Sequence, residues 1–334
     1  MAFISSRLAK RGAAVSFVAF LGLSLGTSGR AWGADPGKVF ATPDEAAKAL
    51  IEAVLKNDDA AIAAVLGTEP GEILKPTTDP GEKQRRESFL AKAKKSVSTE
   101  AQEDGTVDVV VGDDRWPLPI PLVKGESGWR FDIEAGRKEI LARVIGANEL
   151  GAIDLLGDAV AAQEAFESVD RDGDDVREYA QRFVSTPGKK DGLWWEDEKN
   201  MSPLGLQVGD FLDDIAKNPD PDQTVWGYRW KMLKGQGAKA PGGAHSYLVN
   251  GKQVAGFAFV ATPAAYRKTG VMTFIVNKNG KIYEKDLGEH GLDTVKAMET
   301  YELDDTWDLC ERNPDASKDM GEKKKDDEKK PTDK

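Results

Sequence analysis

The stretch that decides the fold is Arg137-Lys-Glu-Ile-Leu-Ala-Arg-Val-Ile-Gly-Ala-Asn-Glu-Leu-Gly-Ala-Ile-Asp-Leu-Leu-Gly-Asp-Ala-Val-Ala-Ala-Gln-Glu-Ala-Phe-Glu167. It has no proline, and Ile145, Ala152, Leu156, Ala159, Gln163 and Phe166 recur near the 3.6-residue period. The spacing predicts one long helix over 137–167. An aspartate-rich loop, Asp170 to Asp175, follows it, and then a short helix over 176–184. Residues 187–224 are rich in proline and glycine and read as loop. Strands are expected at 226–234, 244–250, 253–262, 271–277 and 280–285, with hairpin signals at Asn250-Gly251 and Asn279-Gly280. A long helix followed by an antiparallel meander makes an α+β domain over 137–312.

On the N-terminal side, Thr42-Pro43 marks a helix start, with a second helix after Lys56-Asn57-Asp58-Asp59 that ends at Gly67. Residues 86–96 form a further helix. The period then changes to two: Val107, Val109 and Val111 make one strand, Leu118–Val123 an irregular edge strand, and Trp129, Phe131 and Ile133 another. Helices plus a curved antiparallel sheet make a first α+β domain over 40–136. Residues 1–33 combine Arg7, Lys10 and Arg11, a short apolar run and small residues at Ala31 and Gly33, the pattern of a secretory signal cut near Gly33/Ala34. Residues 313–334 read as a disordered, charged tail.

The chain has 334 residues, 46 basic and 57 acidic, and a net charge of −11. Removal of residues 1–33, which hold four basic and no acidic residues, takes it to −15. That balance argues against nucleic acid and against an anionic lipid surface as partner. Cys310 is the one cysteine, so no disulfide within the chain is possible. The compartment expected is the periplasm or the exterior, with no membrane attachment after signal removal.

Several segments together resemble a known family. They are Asp170-Arg-Asp-Gly-Asp-Asp-Val-Arg-Glu-Tyr-Ala-Gln-Arg-Phe, Ser185-Thr-Pro-Gly-Lys-Lys-Asp-Gly-Leu-Trp-Trp, Ala240-Pro-Gly-Gly-Ala, Gly270-Val-Met-Thr-Phe-Ile-Val-Asn, Trp116-Pro-Leu-Pro-Ile-Pro-Leu-Val and Gly128-Trp-Arg-Phe-Asp. The chain is similar in these to the bacterial family of unknown function numbered 2950. The resemblance implies an exported protein of Gram-negative bacteria and carries no activity or catalytic residues. Two further resemblances bear on fold. The 40–136 region is similar to the cone-shaped fold of nuclear transport factor 2. The run Ala152-Ile to Ala162-Gln-Glu-Ala-Phe, the acidic loop and Tyr179-Ala is similar to the head domain of type IV pilins and pseudopilins. Arg143, Asn148, Glu149 and Asp154 interrupt the apolar assembly helix that pilins carry.

One constellation points to a ligand. Asp170, Asp172 and Asp174 place carboxylates at alternate positions, with Glu178 close behind, as a hard cation such as calcium requires. The loop departs from an EF-hand, because Asp175 stands at the glycine position and Gln181 at the twelfth. The other reading is an acidic turn capping a helix that starts near Asp175. Gly235-Gln-Gly to Pro241-Gly-Gly lies between strands and reads as a hairpin loop, because a phosphate cradle needs a helix after it. His245 and His290 are too few and too scattered for zinc. The sequence therefore favours a non-enzymatic binding or envelope-assembly module, with an unknown envelope protein or small ligand as partner. The alternative is a periplasmic hydrolase using acidic residues near a Trp194-Trp195 platform.

Overall fold

Apolar patterning of two kinds, helical and alternating, organises the chain into α+β structure with antiparallel sheets. The computed structural model describes residues 37–68, 82–197, 200–205 and 224–311. The expected signal and charged tail lie outside them.

The first half opens with α1 (Pro43–Lys56) and α2 (Asp59–Leu66). Thr42 and Asp58 cap them by accepting from Glu45 N–H at 3.2 Å and Ala61 N–H at 2.9 Å. Asn57 and Gly67 end them in the left-handed conformation. Next come α3 (Glu82–Lys95), then β1 (Val97–Ala101), β2 (Val107–Val111), β3 (Trp116–Pro117), β4 (Leu122–Gly125) and β5 (Gly128–Phe131). The sheet order is β1-β2-β4-β5, antiparallel throughout, with β3 on β2. Leu50 and Ile51 from α1, Val109 and Val111 from β2, and Leu122 and Phe131 form the first core. Strand β1 was not anticipated: Val97–Ala101 is a polar edge strand whose pattern is set by pairing with β2, register Thr99 opposite Val109. Ile133, expected at a strand end, sits in the next helix, because Asp132 accepts from Ala135 N–H at 3.1 Å and starts it there.

That helix, α4 (Ile133–Glu167), is 35 residues long and spans about 52 Å. Near its start, Gly136 packs against Ile120 and Ile140 joins the first core. Near its end, Ala152, Leu156 and Ala159 are buried in a second core. At 3.6 residues per turn, Leu156 points about 200° round from Gly136, so the helix offers nearly opposite faces to the two cores.

The second sheet is a five-stranded meander of β6 (Tyr228–Leu233), β11 (Ala258–Pro263), β12 (Thr273–Asn277), β13 (Ile282–Lys285) and β15 (Asp308–Leu309). Between β6 and β11 lie β7 (Gly235–Gln236), β8 (His245–Ser246), β9 (Leu248–Val249) and β10 (Lys252–Gln253). The expected strand 244–250 is thus divided into two short ones, and 253–262 begins its sheet pairing only at Ala258. Every residue of β11 and β12 is buried. The reason is that both faces are covered. Tyr228, Phe259, Phe274 and Val276 face α4, while Leu233, Val260 and Ile275 face a third core closed by α5 (Gly291–Ala297) and β14 (Thr300–Tyr301). A sheet buried on both sides reads as an apolar run, and the covering α5 carries too few residues for its period to be seen beforehand.

No helix among the described residues is long and apolar enough to cross a membrane.

Candidate functional site

The acidic loop begins where α4 stops. The Arg171 guanidinium turns back to the end of α4, donating to Phe166 O in the last helical turn and to Val169 O just beyond it at 3.0 Å, and lies 4.2 Å from the Phe166 ring centroid. Asp170 organises the loop from inside. One of its oxygens accepts from Gly173 N–H and the other from Asp175 N–H, each at 2.9 Å. These two N–H groups hold its carboxyl below the usual range. Gly173 and Asp175 both take positive φ, +77° and +64°, which the tight wrap around Asp170 requires.

Carboxylate oxygens of Asp170, Asp172 and Asp174 converge to within 4.8 Å of one another. The side chain that meets two of them, Asp172 and Asp174, is Lys252, from the β9–β10 hairpin. Its ammonium lies 2.9 Å from Asp172, closer still to Asp174, and 3.8 Å from Glu178. Hydrogen bonds to Asp174 and Asp172 raise the Lys252 pKa, and the same contact with Lys252 is the main cause lowering that of Asp174. Glu178 reaches the ammonium but is not in the convergent set. Sequence reading gave the acids and missed the lysine, since a single lysine 80 residues away carries no local signal.

The helix expected at 176–184 does not form, so Asp175 caps no helix. Tertiary contacts hold this segment extended. Buried Gln163 of α4 binds both backbone groups of Ala180: Ala180 N–H donates to Gln163 Oε1 at 2.8 Å, and Gln163 Nε2 donates to Ala180 O at 2.9 Å. Tyr179 N–H donates to Gln253 O, and Gln181 Nε2 to Gly251 O, each at 2.8 Å. The hairpin is therefore tied to the segment by main-chain, amide and ionic contacts together.

Other candidates resolve as follows. Trp194 is buried in the second core, so its ring is not offered to a ligand. Trp195 is half-buried, with Arg171 and Lys190 over its ring and its Nε1 donating to Asn200 O at 2.7 Å. Of the acids near it, Asp191 accepts from Thr186, and Asp197 pairs with Lys190 at 2.9 Å. The glycine-rich segment forms the β7–β8 hairpin, its loop held by Gln236 Nε2 donating to Pro241 O and Gly243 O. His245 and His290 are both exposed. A groove of about 500 Å³ runs beside α1, floored by Ala47, Ile51 and Leu55 and rimmed by Asp44, Lys48 and Lys94. A smaller cavity of about 200 Å³ lies over Thr262 and Thr273, whose buried hydroxyls bond to each other at 3.0 Å.

One surface stands out on α4. Between the two cores, Leu141 and Val144 are 41% and 45% exposed. Further along the same face, Asn148 donates to Thr269 O at 2.9 Å, and the Trp226 ring lies over Gly151 while itself 45% exposed. Residues 141, 144, 148 and 151 share one face at helical spacing.

A family model described as "Protein of unknown function (DUF2950)" matches residues 37–310. No curated protein and no solved structure matches the chain.

Proposed function

The chain belongs to the family of proteins of unknown function numbered 2950, and from that premise we propose that it is a non-enzymatic binding or assembly module of the bacterial cell envelope, working after removal of an export signal within residues 1–33. The observation that carries this reading is the apolar surface on α4. Leu141 and Val144 stand one turn apart on α4, 41% and 45% exposed, and Trp226, 45% exposed, lies over Gly151 further along the same helix face. A helix face of that composition gains by being covered. The first half, three helices on an antiparallel sheet, supports kinship with the nuclear transport factor 2 scaffold. The C-terminal part of α4 on a meander supports the pilin-head likeness. Both scaffolds serve binding as readily as chemistry, so the surface and not the fold decides.

The test is site-specific photo-crosslinking from position 141 in an envelope preparation of a Gram-negative host. A discrete adduct is expected, and Val144→Glu should remove it while leaving the thermal unfolding midpoint in place. An adduct that survives Val144→Glu would sink the reading.

The convergence of the three loop carboxylates supports a second role, weak calcium binding through Asp170, Asp172 and Asp174 with Glu178 assisting. The cation has to compete with the Lys252 ammonium, which pairs with Asp172 and Asp174. Affinity in the range of extracellular modules, about 0.1–1 mM, follows from the incomplete ligand set.

A further inference from the structure

Strand β15 is tied to the sheet by few contacts. Leu309 stands opposite Tyr283 and Asp308 opposite Glu284, and Cys310 N–H closes the ladder on Ile282 O at 3.0 Å. Behind it the Cys310 side chain is buried in the core under α4, 3% exposed. The Glu284–Asp308 pair sets two carboxylates directly across an antiparallel ladder, which weakens it when both are charged.

The surroundings of Glu284 sharpen this. Its carboxyl is half-buried and receives the Cys310 thiol hydrogen. Among the described residues, the main charges that act on it are negative: Glu149 from α4, and Asp308 and Glu311 from the terminal strand and just beyond. Glu149 is fixed in place by accepting from Val271 N–H at 2.9 Å and Met272 N–H at 3.1 Å. From β12 the facing residue is Phe274, and from β6 it is buried Tyr228, whose hydroxyl donates to Met272 O at 2.8 Å. Lys285 turns to the other face, where it lies 3.5 Å from Asp304.

We propose that β15 is a pH-dependent latch over Cys310, closed while Glu284 carries its proton and loosened when Glu284 ionises against Glu149, Asp308 and Glu311. Burial raises the Glu284 carboxyl above the usual range, the three negative neighbours add to the rise, and the thiol hydrogen bond opposes it. A raised carboxyl stabilises the closed form below its ordinary pKa, and that contribution is lost as pH rises through the raised value. The latch is thus tightest below the ordinary carboxylate range and loosens as pH rises above it. Loosening lays open the chain's one thiol.

Because there is one cysteine, alkylation by N-ethylmaleimide followed by mass spectrometry reports a single site. At each pH the rate in the native full chain is divided into the rate in urea, which removes the titration of the thiol itself. The protection factor should fall by about five-fold between about pH 4, below the ordinary carboxylate value, and about pH 8, the upper end for one like-charged cross-strand pair. Glu284→Gln should stay protected and flat across that range, and Asp308→Asn, at an exposed position, should show a smaller fall. Far-UV circular dichroism should stay native throughout. A flat profile for the native chain, or a Glu284→Gln profile as steep as the native one, overturns the proposal. If Glu284→Gln does not fold, an Asp308→Asn profile identical to the native one overturns it equally.

Discussion

Replacing Gln163 by leucine tests what holds the acidic segment on α4. Gln163 is fully buried, and its amide is the partner of both the N–H and the C=O of Ala180, itself 1% exposed. Leucine has nearly the same size and is a better helix former, so helix propensity and packing volume favour the variant. What it loses is two hydrogen bonds, and both partners stay behind in the core. A buried backbone group left unsatisfied costs about 1–3 kcal/mol, so the pair costs about 2–6 kcal/mol, and the gain from burying an apolar side chain offsets about 1 kcal/mol of that. The expected net loss is about 1–5 kcal/mol, read as a shift of the urea midpoint followed by tryptophan fluorescence. Limited proteolysis should show new cleavage within 170–185 before global unfolding, since the lost bonds anchor that segment alone. Gln163→Glu adds a signed control. A buried glutamic acid has a raised pKa, so this variant should be near native in stability below the ordinary carboxylate range and lose stability as pH rises. An unchanged midpoint in Gln163→Leu would refute the claim that this amide pins the segment and keeps it from forming a helix.

Other expectations follow from the same contacts. Lys252→Met should make the melting temperature rise with millimolar calcium over chelator by more than it does in the native chain, because the competing ammonium is gone; equal melting in calcium and chelator for both proteins would remove calcium from the loop. Leu156→Ala in the second core and Leu122→Ala in the first, both fully buried, should each cost about 2–5 kcal/mol. Two separate calorimetric transitions, each lowered by only one of the two variants, would show that α4 does not couple the cores. Glu149→Ala strips a partner from the N–H groups of Val271 and Met272, with an expected loss of about 1.5–3 kcal/mol and faster hydrogen exchange at those two amides. Gly270→Ala should be worse tolerated than Gly146→Ala, since an added Cβ at 270 meets the hydroxyl of buried Tyr228 and one at 146 meets nothing within 4 Å; equal stability of the two variants would contradict the packing.

Local chemistry fixed a good deal of this protein. The caps at Thr42 and Asp58, the left-handed stop at Gly67 and the helical stripe through Ile145, Leu156 and Phe166 are interactions between near neighbours in the chain. Alternating valines gave β2, and Asn279-Gly280 gave the turn between β12 and β13. The family was likewise legible, because its motifs are short runs of residues. Tertiary structure decided the rest. Residues 176–184 have helix-compatible composition, yet Gln163, Gln253 and Gly251 supply their backbone and side-chain partners and keep them extended. The three aspartates of the loop are visible as a run of acids, and nothing local says that the ammonium of Lys252 pairs with Asp172 and Asp174. Leu141 lies within about 60° of Leu156 round α4, on the same broad apolar side. Only the positions of the two sheets determine that this side is buried at Leu156 and left in solvent at Leu141. Period is a property of the segment, whereas burial depends on what the rest of the chain brings against it.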